Sequence, residues 1–204
     1  METLLLKEQT LAPEERKNYL LTAHKHCQRL STLVEDLFEL AKLDASESGP
    51  HTEPFSISDL MQDVIQKFQL TAEKKGIRIT VDLEDNLPFV NADIGLIERV
   101  FENLIENALQ HTPEGGTITL GLATDGSDVA IQVRDTGKGI SENDLPHIFD
   151  RFYQVDKSRR FQAGHSGLGL AITKRILEIH GKDITVKSTE EQGTILTFKL
   201  PAVW

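Results

Sequence analysis

Apolar residues recur at alternating three- and four-residue steps along residues 13–44: Leu20, Ala23, Cys27, Leu30, Val34, Leu37 and Ala41. That spacing is a heptad seam on one long helix, with Leu33 and Leu40 widening the stripe. Pro13 suits a first helical position, and Glu14 and Glu15 sit at the positive end of the helix dipole. A single helix cannot bury such a seam against itself. It needs either the core of its own chain or a second helix in a dimeric bundle. Residues 2–8 read as the last turns of a preceding helix. Residues 45–53 are polar, carry Gly49-Pro50 and read as a linker. The seam and linker divide the chain into a helical part over 1–46, a connection over 47–53 and a second domain over 54–204.

The second domain alternates between helical and strand patterns, which predicts an α+β fold. Phe55 to Ser58 gives a short strand signal, and Ser56 with Asp59 resembles a capping box for a helix over about 59–75. A strand follows at 77–83, then a helix over 94–111 capped by Asp93. Strands at 117–123 and 129–134 form a hairpin through Thr124-Asp125-Gly126-Ser127. A helix from Leu168 to His180 and strands at 184–188 and 194–200 complete the pattern. The net charge of −10 argues against a general nucleic-acid binder, and no apolar run approaches the ~20 residues of a membrane helix. Cys27 is the only cysteine, so no internal disulfide forms.

Three segments carry candidate chemistry. Asn103 and Asn107 share a helix face beside Glu106; they are either solvent-facing or, through a carboxamide oxygen, a ligand set for Mg²⁺ with phosphate. Asp135-Thr136-Gly137-Lys138-Gly139-Ile140 follows a Val/Ile-rich strand. It is either a tight turn or a carboxylate accepting from an adenine amino group, with glycines admitting the base. Gly164-His165-Ser166-Gly167-Leu168-Gly169-Leu170 opens a helix whose N–H groups can meet phosphate. Residues 154–163 are basic at their centre and read as a surface loop or a lid over a ligand.

In this order the segments resemble the catalytic domain of bacterial sensor histidine kinases over roughly residues 54–200. The N box resembles residues 102–112, the first glycine box residues 135–140, the F box Ile148-Phe149-Asp150-Arg151-Phe152-Tyr153, the second glycine box residues 164–170, and the third Gly193-Thr194. The resemblance implies a two-layer α/β sandwich, the Bergerat-type ATP-binding fold shared with gyrase and Hsp90. It implies ATP and Mg²⁺ as cofactors. Asn107 would hold the metal, and Asn103 would assist at the phosphates. Asp135 would take the adenine amino group, with His111, Gly137, Gly139, Ile140 and Thr194 beside the nucleotide. Gly164, Ser166, Gly167, Leu168 and Gly169 would approach the phosphates, and Arg159 or Arg160 would meet the γ-phosphate.

Two positions depart from the family pattern: Gln110 stands where many members carry Lys or Arg, and His165 where the second box usually has Gly. Asn103 stands where the hydrolysing relatives place a water-activating Glu, and an amide cannot act as that base. This favours phosphoryl transfer over hydrolysis. Residues 2–44 are similar to the family's dimerisation and phosphotransfer helices, but His24 and His26 lack the acceptor setting. The chain therefore reads as starting midway through the first of those helices, without the acceptor histidine. The resemblance implies the ATP-binding part of a protein-histidine kinase, cytoplasmic, and admits an inner-membrane sensor as its parent. That parent would form a homodimer and pass phosphate to a response regulator receiver domain, and the segment alone would not autophosphorylate. A non-catalytic dimerisation or nucleotide-sensing module, or an ATPase of the same fold, is the competing reading.

Overall fold

The computed structural model describes residues 12–45, 49–155 and 166–204. The predicted helix over 2–8 lies outside them. Helix α1 (Pro13–Ala45) runs unbroken for 33 residues. After the connection come β1 (Glu53–Phe55), α2 (Ile57–Lys74), β2 (Arg78–Leu83), β3 (Phe89–Ala92) and α3 (Ile94–His111). The chain then forms β4 (Thr117–Asp125), β5 (Asp128–Asp135), α4 (Gly169–Ile179), β6 (Ile184–Thr189) and β7 (Gly193–Val203).

Local chemistry accounts for the boundaries. Ser56 Oγ accepts the Asp59 N–H at 3.3 Å and starts α2. Asp93 Oδ1 accepts the Leu96 N–H at 3.2 Å and starts α3. The β4–β5 hairpin closes in register from Ile118↔Asp135 to Asp125↔Asp128, with Gly126 at φ +65° in the turn. Farther along, Asp144 N–H donates to Ser141 Oγ at 3.2 Å just before a 3₁₀ turn (Leu145–His147).

The seven strands make one mixed sheet in the order β1-β3-β7-β5-β4-β2, with β6 on β7. β7 is long enough to serve two neighbours along one edge: β6 pairs with its first half and β3 with Ala202 and Val203. β2 joins β4 in parallel; the other pairs are antiparallel. Alternate residues of β4, β5 and β7 point into the core: Ile118, Leu120, Leu122; Val129, Ile131, Val133; Leu196, Phe198, Leu200. Helix α3 meets them with Ile97, Val100, Phe101, Leu104 and Ile105. The rings of Phe101 and Phe198 stand 6.3 Å apart edge to face, joining helix layer to sheet layer. The fold is thus the expected two-layer α/β sandwich preceded by a long helix.

Two features differ from the sequence reading. Strand β1 begins and ends earlier than Phe55 to Ser58, because Ser56 is used as the cap of α2. Strand β3 was not expected; it forms between two distant strands, with Val90 beside both Phe55 of β1 and Ala202 of β7, and Ala92 beside Glu53 of β1. On α1 the buried positions are Asp36, Leu40 and Leu43, and the helix packs against α4. The seam positions Leu20, Leu30, Val34 and Leu37 remain 46–61% exposed.

Candidate nucleotide site

Strand β5 ends at Asp135, whose side chain turns inward and is 7% exposed. Burial pushes its carboxyl above the usual carboxylate range, and the N–H groups of Gly137 and Thr194 partly offset that. Gly137 N–H donates to Asp135 Oδ1 at 2.8 Å. The following turn is clasped on both sides. Lys138 N–H donates to the carbonyl of His111 at the end of α3, and Glu191 N–H donates to the Lys138 carbonyl at 2.7 Å. Two glycines are required there. Gly139 has φ +68°, and a Cβ on it would lie 2.0 Å from the Thr189 carbonyl oxygen. Gly193 has φ +91°, and a Cβ would lie 2.0 Å from the Asp135 carbonyl oxygen. Asp135, Gly137, Gly139, Ile140, His111 and Thr194 therefore meet at one end of the site.

The other end lies where α3 meets the start of α4. Asn103 is 5% exposed, yet its amide nitrogen has no hydrogen-bond partner among the described residues. A donor so placed is costly unless something else satisfies it. Its carbonyl oxygen lies 3.4 Å from where a Cβ on Gly169 would sit, so the first turn of α4 abuts this side chain. Among the described residues no side chain caps that turn, leaving the N-terminal N–H groups open to an anion. Before it, Leu168 N–H donates to Ser166 Oγ at 3.1 Å, and Ser166 Oγ donates to Asp36 Oδ2 of α1 at 2.5 Å. Asp36 is itself held by Arg99 Nη2 at 2.7 Å. Phe152, at φ +64°, donates its N–H to the Gly167 carbonyl at 2.9 Å and brings the F-box segment alongside.

The two ends are joined by one face of α3. Asn103, Asn107 and His111 follow at four-residue steps, so about 12 Å of helix separates first from last. Asn107, half-buried, lies between. A carboxylate and a glycine turn at one end, a carboxamide pair along the floor and an open helix N-terminus at the other match the base and phosphates of a nucleotide. Arg159, Arg160, Gly164 and His165 lie outside the described residues. The sequence reading gave no site role to Ser188 or Asp36, which bond to site residues: Ser188 stands in no recognisable motif, and Asp36 lies in the helical stretch similar to the family's dimerisation helices.

Residues 92–203 match the family described as histidine kinase-, DNA gyrase B-, and HSP90-like ATPase. The chain is 37% identical over 185 residues to sensor histidine kinase WalK of Bacillus subtilis (strain 168), covering 90% of this chain and 30% of that protein. It thus spans under a third of that relative's length. Full-length ShkA, solved in complex with AMPPNP, matches with a TM-score of 0.79 at 29% identity, over 98% of this chain and 42% of that one. Histidine kinase ThkA, solved in complex with response regulator protein TrrA, gives 0.80 at 25% identity, over 99% of this chain and 56% of that one. Fold, site and relatives agree: the chain belongs to the histidine kinase-, DNA gyrase B- and HSP90-like ATPase family and carries an ATP-binding catalytic domain of the sensor histidine kinase type.

Proposed function

We propose that this chain is the ATP-binding catalytic part of a two-component sensor histidine kinase, using Mg-ATP to phosphorylate a histidine for relay to a response regulator aspartate. The observation that carries it is the buried, unpartnered amide of Asn103 against the uncapped start of α4. With Asp135 at the far end of the same helix face, the spacing suits a bound nucleotide.

In this reading Asp135 accepts from the adenine amino group, and His111, Gly137, Gly139, Ile140 and Thr194 line the base end. Asn103 donates its free amide toward the phosphates, which approach Gly164, Ser166, Gly167, Leu168 and Gly169. The Asn107 carboxamide oxygen holds Mg²⁺, an oxygen-seeking ion that neutralises phosphate charge when bound. Arg159 or Arg160 supplies the cation for the γ-phosphate. Asn103 cannot accept a proton from water, which leaves transfer to another acceptor as the preferred outcome.

The division into helical part (1–46), connection (47–53) and catalytic domain (54–204) follows the same reading. The apolar positions left exposed on α1 serve a homodimeric helical bundle in the parent protein. The acceptor histidine belongs to a helix of that bundle, not to His24 or His26. The complex of ThkA with its response regulator supports a receiver domain as the partner.

Calorimetric titration with Mg-ATP tests the site. Micromolar-range binding is expected, with loss of at least tenfold in affinity for Asp135→Ala. Equal affinity in the variant would overturn the assignment of the adenine end.

A further inference from the structure

Ser188, on β6, stands outside every motif and makes three hydrogen bonds at the base end of the site. Ile140 N–H donates to its Oγ at 3.0 Å. Its Oγ donates to the Gly193 carbonyl at 2.7 Å. Its third contact is Thr194 Oγ1, at 2.9 Å, where either hydroxyl could be the donor. Proton counting decides the direction. A serine hydroxyl has one proton and two lone pairs. The proton goes to Gly193, whose carbonyl can only accept; one lone pair takes the Ile140 N–H, which can only donate. The remaining lone pair faces Thr194, so Thr194 must donate. Its own proton is then spent on Ser188, and toward the base it can only accept.

Thr194 is 6% exposed and pairs in register with Asp135, whose carboxylate also receives its backbone N–H. Two acceptors therefore stand side by side. An exocyclic amino group, with two donor protons, matches them; an exocyclic carbonyl, with none, does not. We infer that Ser188 is a specificity-determining positioning residue: by consuming the Thr194 hydroxyl proton it makes this end of the site select 6-amino over 6-oxo purines. The inference rests on the proposed placement of the base beside Asp135 and Thr194.

The test compares Mg-ATP with Mg-ITP on the full chain by calorimetry. Ser188→Ala frees the Thr194 proton to turn toward the base. The ATP:ITP affinity ratio is expected to fall about five- to tenfold, mainly through weaker ATP binding. Ser188→Thr, which keeps a hydroxyl, should restore the ratio. Thr194→Val should lower the ratio similarly, and adding Ser188→Ala to it should change the ratio no further. Thr194→Val carries the test if Ser188→Ala does not fold. A Ser188→Ala chain that weakens both nucleotides by the same factor, or neither, would overturn the inference and leave the base reading standing. A wild-type chain that binds ATP and ITP equally would overturn the base reading itself, and the role of Ser188 with it.

Discussion

The two ends of the nucleotide site are built from different materials. The base end is made of sheet. Asp135 and Thr194 are register partners in adjacent strands, and the turn between β5 and the F box is tied by backbone bonds to α3 and to the β6–β7 turn. The phosphate end is made of side chains from separate elements. Ser166, which takes the Leu168 N–H, is oriented by Asp36 of α1, and Asp36 by Arg99 of α3. Base recognition is thus fixed by the fold itself, whereas the phosphate turn depends on where α1 sits. Asp36 also holds the Ser166 hydroxyl proton; in the proposed placement of the phosphates, that carboxylate and a phosphate oxygen would compete for one donor.

The contrast can be broken most severely at Gly193. Gly193→Ala places a methyl against the Asp135 backbone and should cost more than about 3 kcal/mol, read as the urea midpoint, with ATP binding lost. Gly181→Ala is the control: its φ is also positive, at +66°, but none of the described residues lies within 4 Å of the added methyl. It should cost only about 1–2 kcal/mol. Similar losses at both sites would mean that the clasp around the base end is not tight.

Asp36→Ala attacks the other end. It deprives Ser166 of its acceptor and leaves Arg99 with Glu39, at 3.0 Å, as its main partner. Stability should fall by about 1–3 kcal/mol. ATP affinity should shift, while the ATP:ITP ratio should stay as in the wild type. A changed ratio would show that the two ends are not independent.

Asp135→Asn separates function from stability. Burial raises the Asp135 carboxyl above its ordinary 3.8, so the folded state holds that proton more tightly than the unfolded state does. The stabilisation this gives is fully present below pH ~4 and is lost as the pH rises through the folded-state value. The asparagine variant should therefore match or exceed the wild type in stability at pH 7, lose the wild type's decline above pH ~4, and bind ATP poorly. Denaturant melts between pH 3 and 7 check this; a wild type whose stability gains from that ionisation would contradict it.

The smallest effect is expected at Asp44→Ala. Asp44 pairs with Arg151 at 2.7 Å, and Arg175 Nε lies 3.1 Å away without hydrogen-bond alignment. Asp44 and Arg151 are exposed and Arg175 is half-buried, so the loss should stay under about 1 kcal/mol and fall in high salt. A larger, salt-insensitive loss would mean that α1 is held as firmly as a core element.

Much of this was readable in the sequence where local chemistry decides structure. The caps Ser56 and Asp93, the period of α3 and the β4–β5 turn placed the helices and the hairpin within a few residues. The first and third glycine boxes and Asn103 marked the candidate site because each residue type has a local reason to be there. Features that depend on distant partners were not readable. Strand β3 is four residues after a proline and is a strand because β1 and the end of β7 lie on either side of it. The parallel placement of β2 on β4 has no local signal. On α1 two apolar stripes overlap, and the one that docks includes a carboxylate, Asp36, which hydropathy assigns to solvent. Only Arg99 and Ser166, far along the chain, make it a buried residue. Ser188 resembles any other serine in an alternating strand.

Helix α1 has a mechanical consequence of its own. Its buried positions, 36, 40 and 43, fall in its last three turns, while Pro13 lies about 45 Å from Leu43. Pivoted at Leu43, the helix is a lever with a short arm of about 10 Å to Asp36, a ratio of roughly four to one. A sideways swing of about 4 Å at Pro13 becomes about 1 Å at Asp36. That displacement is enough to stretch the 2.5 Å bond to Ser166 to the limit of hydrogen bonding. Such a lever would gear a coarse movement at one end down to the scale of a single proton-sharing contact at the other.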